Sequence, residues 1–148
     1  MKYNIKLIER HGCAADQEWL WNLYEQLLKD PIEAQWGWDK SYQLENFKTE
    51  FLLENFVIVS DGEVDIGTYY TNEHCDYYYV KLILISEPFQ KMGIGKHIVT
   101  KLQCKAKKSQ KNIKLSVIQK NPVAGFYEKL GFKRLYESDG SIYMKWEY

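Results

Sequence analysis

The order of apolar and polar positions divides the chain into short extended stretches and longer helical ones. Alternation across Tyr3, Asn4, Ile5, Lys6, Leu7 and Ile8 predicts a first strand. Leu20, Leu23, Tyr24, Leu27 and Leu28 then fall on one helical face. Asp30-Pro31 is expected to end that helix, because the residue before a proline is pushed out of the α region. Ile32 to Lys40, with Trp36-Gly37-Trp38-Asp39 inside it, has no clear period and reads as a loop. A second helix follows with Leu44, Phe47 and Phe51 turned inward. Phe56 to Val59 and Val64 to Tyr70 flank Asp61-Gly62, a strong short-range hairpin signal.

After the polar break Thr71 to His74, a fourth strand is expected from Cys75 to Ile85. It leads through Ser86-Glu87-Pro88-Phe89-Gln90-Lys91-Met92-Gly93-Ile94-Gly95-Lys96 into a helix whose apolar residues Ile94, Ile98, Leu102 and Ala106 recur every four positions to about Ser109. A helix start leaves its first N–H groups unpaired and partly positive, and Gly93 and Gly95 clear the approach for a diphosphate-sized anion. A lone G-x-G is weak evidence, equally met by a tight turn. Ile113, Leu115 and Val117 alternate as a fifth strand. Asn121-Pro122 is read as the start of a short helix, with Asn as N-cap and Pro at the first helical position, and Gly131 as its C-terminal stop. Two closing strands, Phe132 to Glu137 and Ile142 to Trp146, surround Ser138-Asp139-Gly140-Ser141. The pattern predicts one α/β domain over residues 1–148 with the order β-α-α-β-β-β-α-β-α-β-β.

Composition narrows the class. The 148 residues are 45% apolar and 16% aromatic, enough for a packed core without staples. Twenty basic residues balance twenty acidic ones, so charge selects neither nucleic acid nor an anionic membrane as partner. No long apolar run and no signal-type N-terminus is visible. The three cysteines, Cys13, Cys75 and Cys104, are odd in number and widely spaced, which fits reduced thiols in the cytoplasm and gives no disulfide framework or zinc pattern. His11, His74 and His97 form no triad or metal pattern, so no metal is expected.

Two stretches together carry a resemblance. Gln90-Lys91-Met92-Gly93-Ile94-Gly95 resembles the [RQ]-x-x-G-x-[GA] acyl-CoA-binding motif of the GNAT family, the Gcn5-related N-acetyltransferases. About thirty residues on, Asn121 to Phe132 is similar to the family's N-x-x-A-x-x-[FL]-Y-x-[KR]-x-G-F pattern. The match runs from about Tyr77 to Tyr148; the first seventy residues agree only in their order of elements. The resemblance implies a mixed, mostly antiparallel sheet flanked by helices, with its central fourth and fifth strands splayed apart. It implies an enzyme that moves an acetyl group from acetyl-CoA to a primary amine by direct attack in a ternary complex.

By position, the resemblance assigns the backbones of Ile83 and Ile85 to the pantetheine arm of acetyl-CoA. Gln90, Lys91, Gly93, Ile94, Gly95 and Lys96 fall to the diphosphate end. Asn121 is read as a helix cap that can also touch the cofactor. Tyr127 is assigned to the cofactor sulfur, where negative charge develops, with packing of the short helix as the plain alternative. A free tyrosine (~10) is a weaker acid than a thiol (~8.5), so full proton transfer would be uphill by ~2 kcal/mol, and a hydrogen bond that strengthens with charge is the better description.

The amine side is less defined. An alkylamine must lose a proton before it attacks, which costs ~4 to 5 kcal/mol at neutral pH. Many family members place a glutamate on the fourth or fifth strand for this; the corresponding positions here are Tyr79 and Ser116, neither of them a base. Glu33, Asp39, Glu73, Asp76 and Glu87 are nearby carboxylates that read as solvated, and no base is assigned. Trp36 and Trp38 beside Asp39 either cage an ammonium group or form a lid on the core. The lysines Lys101, Lys105, Lys107, Lys108 and Lys111 read as a solvated helix end, one of which could reach a 3′-phosphate. A small-molecule amine is expected over a protein acceptor, and the apolar final strand could pair with a partner in a homodimer. Two other classes stay open: a non-catalytic acyl-CoA-binding sensor or regulatory module, and, less well supported for want of G-K-[ST], an ATP-binding domain.

Overall fold

Alternating apolar stretches need partners on both edges, and they find them in one sheet of seven strands. The computed structural model describes residues 6–148. Its main elements are β1 (Ile8–His11), α1 (Gln17–Trp36), α2 (Lys40–Glu50), β2 (Phe56–Ser60), β3 (Asp65–Glu73), β4 (Tyr77–Ile85), α3 (Ile94–Ser109), β5 (Asn112–Ile118), α4 (Ala124–Lys129), β6 (Lys133–Ser138) and β7 (Ser141–Trp146). Short 3-10 turns occupy Ala14–Asp16, Leu53–Asn55 and Glu87–Phe89. The strands lie in the order β1-β2-β3-β4-β5-β7-β6. Only β4 and β5 run parallel, because α3 carries the chain back between them; the other pairs are antiparallel.

Each sheet face has its own core. Ile94, Ile98, Val99, Leu102 and Ala106 of α3 pack against Tyr78, Val80, Ile113, Leu115 and Val117, together with Tyr127 from α4. On the opposite face, Leu20 and Trp21 of α1 and Phe47 of α2 pack against Phe56, Ile58 and Tyr70. Phe56, Ile58 and Val59 are fully buried, each contributing roughly 1.5 to 3 kcal/mol by leaving water. The α/β class and element order agree with the pattern of the sequence.

Five local expectations need correction. The first strand begins at Ile8, where it was expected to end; residues 3–5 lie outside the described part, and Lys6 and Leu7 precede the strand. Pro31 does not end α1, which runs on to Trp36. A proline removes one intrahelical donor, and here Ile32 just beyond it is 5% exposed, so burial of that one side chain helps to hold the helix past Pro31. The stop comes at Gly37, left-handed at φ 86, whose N–H donates to the Glu33 carbonyl at 3.0 Å. The supposed loop is therefore the end of α1, a three-residue link, and the start of α2, which Asp39 caps by accepting from the Tyr42 N–H at 3.0 Å.

Asn121 is not the cap of α4. The helix starts at Ala124 with Val123 in the cap position, and Asn121 sits in the preceding turn, its N–H donating to Ile118 at 2.9 Å. Finally, β7 is paired on both sides, by β5 and β6, so the last strand offers no edge to a partner; the free edges of the sheet are β1 and β6.

Candidate active site

The sheet forks at its centre. β4 and β5 pair only from Tyr77↔Asn112 to Val80↔Leu115, after which β4 pairs with β3 alone and β5 with β7 alone. A bulge accompanies the parting: Tyr70 opposes Leu82 and Thr71 opposes Val80, leaving Lys81 as the extra residue. An extra residue bends its strand and increases the local twist, which turns β4 away from β5. The Lys81 ammonium bonds the Glu50 carbonyl at 3.1 Å and lies 4.7 Å over the Phe51 ring, fixing the end of α2 to the fork. Nothing in the sequence marked this lysine, since a bulge has no local pattern here.

The register shows which backbone groups face the gap. Ser86 donates to the Ile66 carbonyl at 2.9 Å, continuing the Gly67↔Ile85 register. Bonded and non-bonded pairs alternate in an antiparallel ladder, so Leu84 and Leu82 bond to β3. Ile83 and Ile85 therefore turn their N–H and C=O groups toward the missing neighbour. Gln90 reaches back to this edge, its Nε2 donating to the Ile85 carbonyl at 2.8 Å.

The gap opens onto the start of α3. Lys91 (φ 63) and Gly93 (φ 84) are both left-handed, and no side chain caps the helix. The first bond into the helix is from His97 to the Gly93 carbonyl at 3.0 Å. Among the described residues, no acceptor takes the backbone N–H groups of Lys91, Met92, Gly93, Ile94, Gly95 or Lys96. A run of free donors at the positive end of a helix is a cradle for an anion. A Cβ at Gly95 would come 3.4 Å from the Phe126 ring, so the second glycine lets α3 and α4 approach closely.

Tyr127 approaches from the α3/α4 face. A left-handed Gly131 closes α4, with Gly131 donating to Glu128 at 3.0 Å and Phe132 to Tyr127 at 3.1 Å. Phe126 and Phe132 meet the Tyr127 ring edge-on at 5.0 and 5.5 Å. Tyr127 is 9% exposed, and its hydroxyl has no hydrogen-bond partner among the described residues. Burial pushes its pKa up to about 12.

On the α1/α2 face, Tyr79 and Ser116 meet. Their hydroxyls are 3.0 Å apart across β4 and β5, at the closed end of the fork. Two of the five carboxylates named from sequence have other engagements: Glu73 is bound to Lys111 at 2.8 Å, which lowers its pKa, and Asp39 caps α2. The two indoles separate. Trp38 stacks on Trp21 at 6.1 Å as part of the core, whereas Trp36 is exposed and donates from Nε1 to the Asp139 carbonyl at 2.9 Å, tying α1 to the β6–β7 turn. Lys101 is paired with Glu9 at 2.7 Å and Lys105 lies 5.1 Å over the Tyr78 ring. A separate cavity of about 650 Å³ lies between α3 and the outer strands, lined by Glu9, Val57, Tyr69 and Leu102 among others, and includes none of the residues assigned to acetyl-CoA. Among the described residues no group of His, Cys, Asp and Glu could hold a metal ion, and no helix is long and apolar enough to cross a membrane.

Known proteins share this fold. Residues 53–134 match the family model described as "Acetyltransferase (GNAT) domain". Among solved structures, a PaiA N-acetyltransferase from Thermoplasma acidophilum in complex with coenzyme A is similar with a TM-score of 0.78 at 18% identity, over 97% of this chain and 100% of that one. The ribosomal-protein-S18-alanine N-acetyltransferase from Escherichia coli gives 0.70 at 16% identity, over 96% and 94% of the two chains. N-acetylglutamate synthase from Neisseria gonorrhoeae, complexed with coenzyme A and N-acetyl-glutamate, gives 0.66 at 14% identity, over 98% of this chain and 36% of that one. At these identities the likeness concerns the fold.

Proposed function

Since the chain belongs to the GNAT acetyltransferase family and is an acyltransferase, we propose that it moves an acetyl group from acetyl-CoA to a primary amine by direct attack in a ternary complex. One observation carries the reading: a strand edge left unpaired by β5 at Ile83 and Ile85, where Gln90 holds only the Ile85 carbonyl, leads directly to the free N–H groups of Lys91 to Lys96. The edge suits an amide-bearing arm that hydrogen-bonds like a strand, and the helix start suits a diphosphate. Coenzyme A has both parts in that order. The acyl thioester supplies the carbonyl that the amine attacks. Gly93 and Gly95 keep the approach clear, and Asn121, not needed as a cap, is free to bond the cofactor.

Tyr127 is proposed as the hydrogen-bond donor to the sulfur. With its pKa raised to about 12, complete proton transfer to a thiolate (~8.5) would be uphill by about 5 kcal/mol, so it acts as a donor that tightens as charge grows. A small-molecule amine is favoured as acceptor, because the aromatic cluster of α1 and α2 walls the face opposite Tyr127. The three cysteines are free and exposed, consistent with a reducing cytoplasm.

The lack of a carboxylate at Tyr79 and Ser116 favours one other reading, an acyl-CoA-binding sensor. Melting-temperature shifts with acetyl-CoA test the donor site. Free thiol released from acetyl-CoA with polyamines, aminoglycosides, amino acids and short peptides tests transfer. Binding with thiol release on a small amine supports the enzyme; binding without release on any acceptor supports the sensor. Acetylation of peptides alone would overturn the small-molecule acceptor.

A further inference from the structure

On the α3/α4 side of the fork the reactive group proposed above is Tyr127, a donor. The other side of the same gap, at its closed end, presents a hydroxyl pair. Ile113, Leu115 and Val117 point into the α3 core, so Ser116 between them points to the α1/α2 face. Tyr79 lies between Tyr78 and Val80, which pack on α3, and so shares that face. The Tyr79 and Ser116 oxygens are 3.0 Å apart, either one can be the donor, and both side chains are half-buried. A ligand arm entering from α3 along Ile85 and Ile83 runs toward this end of the fork, with the hydroxyl pair on the α1/α2 face and Tyr127 in the core of the α3 face.

Resting on the transferase reading above, we propose that Tyr79 and Ser116 are the exit for the acceptor's proton, acting as a relay in place of a carboxylate base. The ammonium gives a proton to one hydroxyl oxygen while that hydroxyl passes its own proton to its partner, which releases one to water. Both hydroxyls end neutral, and neither has to hold a charge. The freed nitrogen lone pair forms the C–N bond, the C–S bond breaks with its electron pair going to sulfur, and the sulfur takes up a proton. The sum is one ammonium and one thioester giving one amide, one thiol and one proton. A reversible hydroxyl pair suits this task, since a relay needs a donor and an acceptor on each member.

The surroundings help. Tyr143 lies opposite Ser116 on β7, and Lys114 and Lys145 share the face, with the Lys114 ammonium 4.2 Å over the Tyr77 ring. From the helices come Tyr24, Glu25 held near Lys40 at 3.9 Å, and Glu50 paired with Lys81. Lys145 is itself paired with Glu147 at 3.5 Å, which leaves Lys114 as the one of these charges without an ion-pair partner among the described residues. A cation there disfavours a bound ammonium and eases its proton loss.

The test is the rate of thiol release from acetyl-CoA by the full chain, with an amine that the wild type accepts, from about pH 7 to about pH 10. Tyr79→Phe and Ser116→Ala are each expected to lower kcat/KM by ~10 to 10²-fold near neutral pH. The loss should shrink toward the upper end, where more of the amine is already neutral. The double variant should be no slower than the slower single one, because either change breaks the chain of hydroxyls. Ser116→Thr, which keeps the hydroxyl, should keep the wild-type profile. Melting-temperature shifts with acetyl-CoA should be unchanged throughout. A loss of equal size at every pH means that the pair only shapes the strand edge, and unchanged rates mean that it does nothing; either result overturns the relay. A wild type that binds acetyl-CoA but releases no thiol with any amine overturns the transferase reading, and the relay with it.

Discussion

At Tyr127, backbone and side chain are fixed by different neighbours. The carbonyl is tied into the end of α4 by Leu130 and Phe132, and the ring is wedged between Phe126 and Phe132. The hydroxyl is left as the free end of an otherwise immobilised group, which is the preorganisation that a charge-stabilising donor needs. Tyr127→Phe keeps this packing and removes only the donor. It should lower kcat ~10²-fold or more with little change in acetyl-CoA affinity, measured by steady-state kinetics beside binding calorimetry. An unaltered kcat would end the assignment. Because burial holds the pKa up at about 12, ionisation of Tyr127 should cause no fall in kcat at moderately alkaline pH. The position was legible because Tyr127 stands in a recognisable pattern from Asn121 to Phe132. The role of Asn121 was misread, since an Asn-Pro pair has the composition of a helix start, and only the observed turn shows the helix beginning at Ala124.

At the level of elements, the functional unit is β4, its turn and α3. Two left-handed residues, Lys91 and Gly93, aim the donors of the turn, and of the two Gly93 is the one that needs no Cβ. Gly93→Ala forces a side chain into the left-handed region at a cost of about 1 to 2 kcal/mol. It should lower the melting temperature and weaken acetyl-CoA binding about tenfold or more, as measured by calorimetry. Gly95→Ala is the comparison: its backbone is helical and its Cβ would sit 3.4 Å from Phe126, so the effect on stability should be smaller. The glycines and the helical period were visible as letters. The fork was not, because the bulge at Lys81 and the end of pairing at Val80↔Leu115 are relations between strands. Pro31 shows the converse, a local rule overridden by the burial of Ile32.

Across the whole molecule, the outer part of the sheet is tied to the N-terminal helical segment through charge. Arg10 on β1 grips Asp16 with bonds of 2.8 and 2.9 Å and reaches Asp65 on β3 at 3.0 Å. The hydrogen bonds from Arg10 lower the Asp16 pKa to about 2. The folded carboxyl therefore binds its proton less readily than the unfolded one, so the stabilisation is present above the ordinary aspartate range and is lost as pH falls toward 2. With Arg10 43% exposed, solvent screens part of the gain, and Asp16→Asn should cost roughly 1 to 2 kcal/mol near neutral pH. Urea titrations should show this cost vanishing at low pH; a cost independent of pH would mean that the clamp is not electrostatic. The sequence by itself determined the element order, the alternating faces of β5, the glycine turn and the tyrosine, because periodicity and short spacings are properties of neighbours along the chain. The tertiary structure decided where β4 leaves β5, which backbone groups stay unpaired, and that Tyr79 meets Ser116 on the sheet face away from the core that holds Tyr127. Those facts depend on how residues far apart in sequence are brought into register, and register is set by packing across the whole sheet.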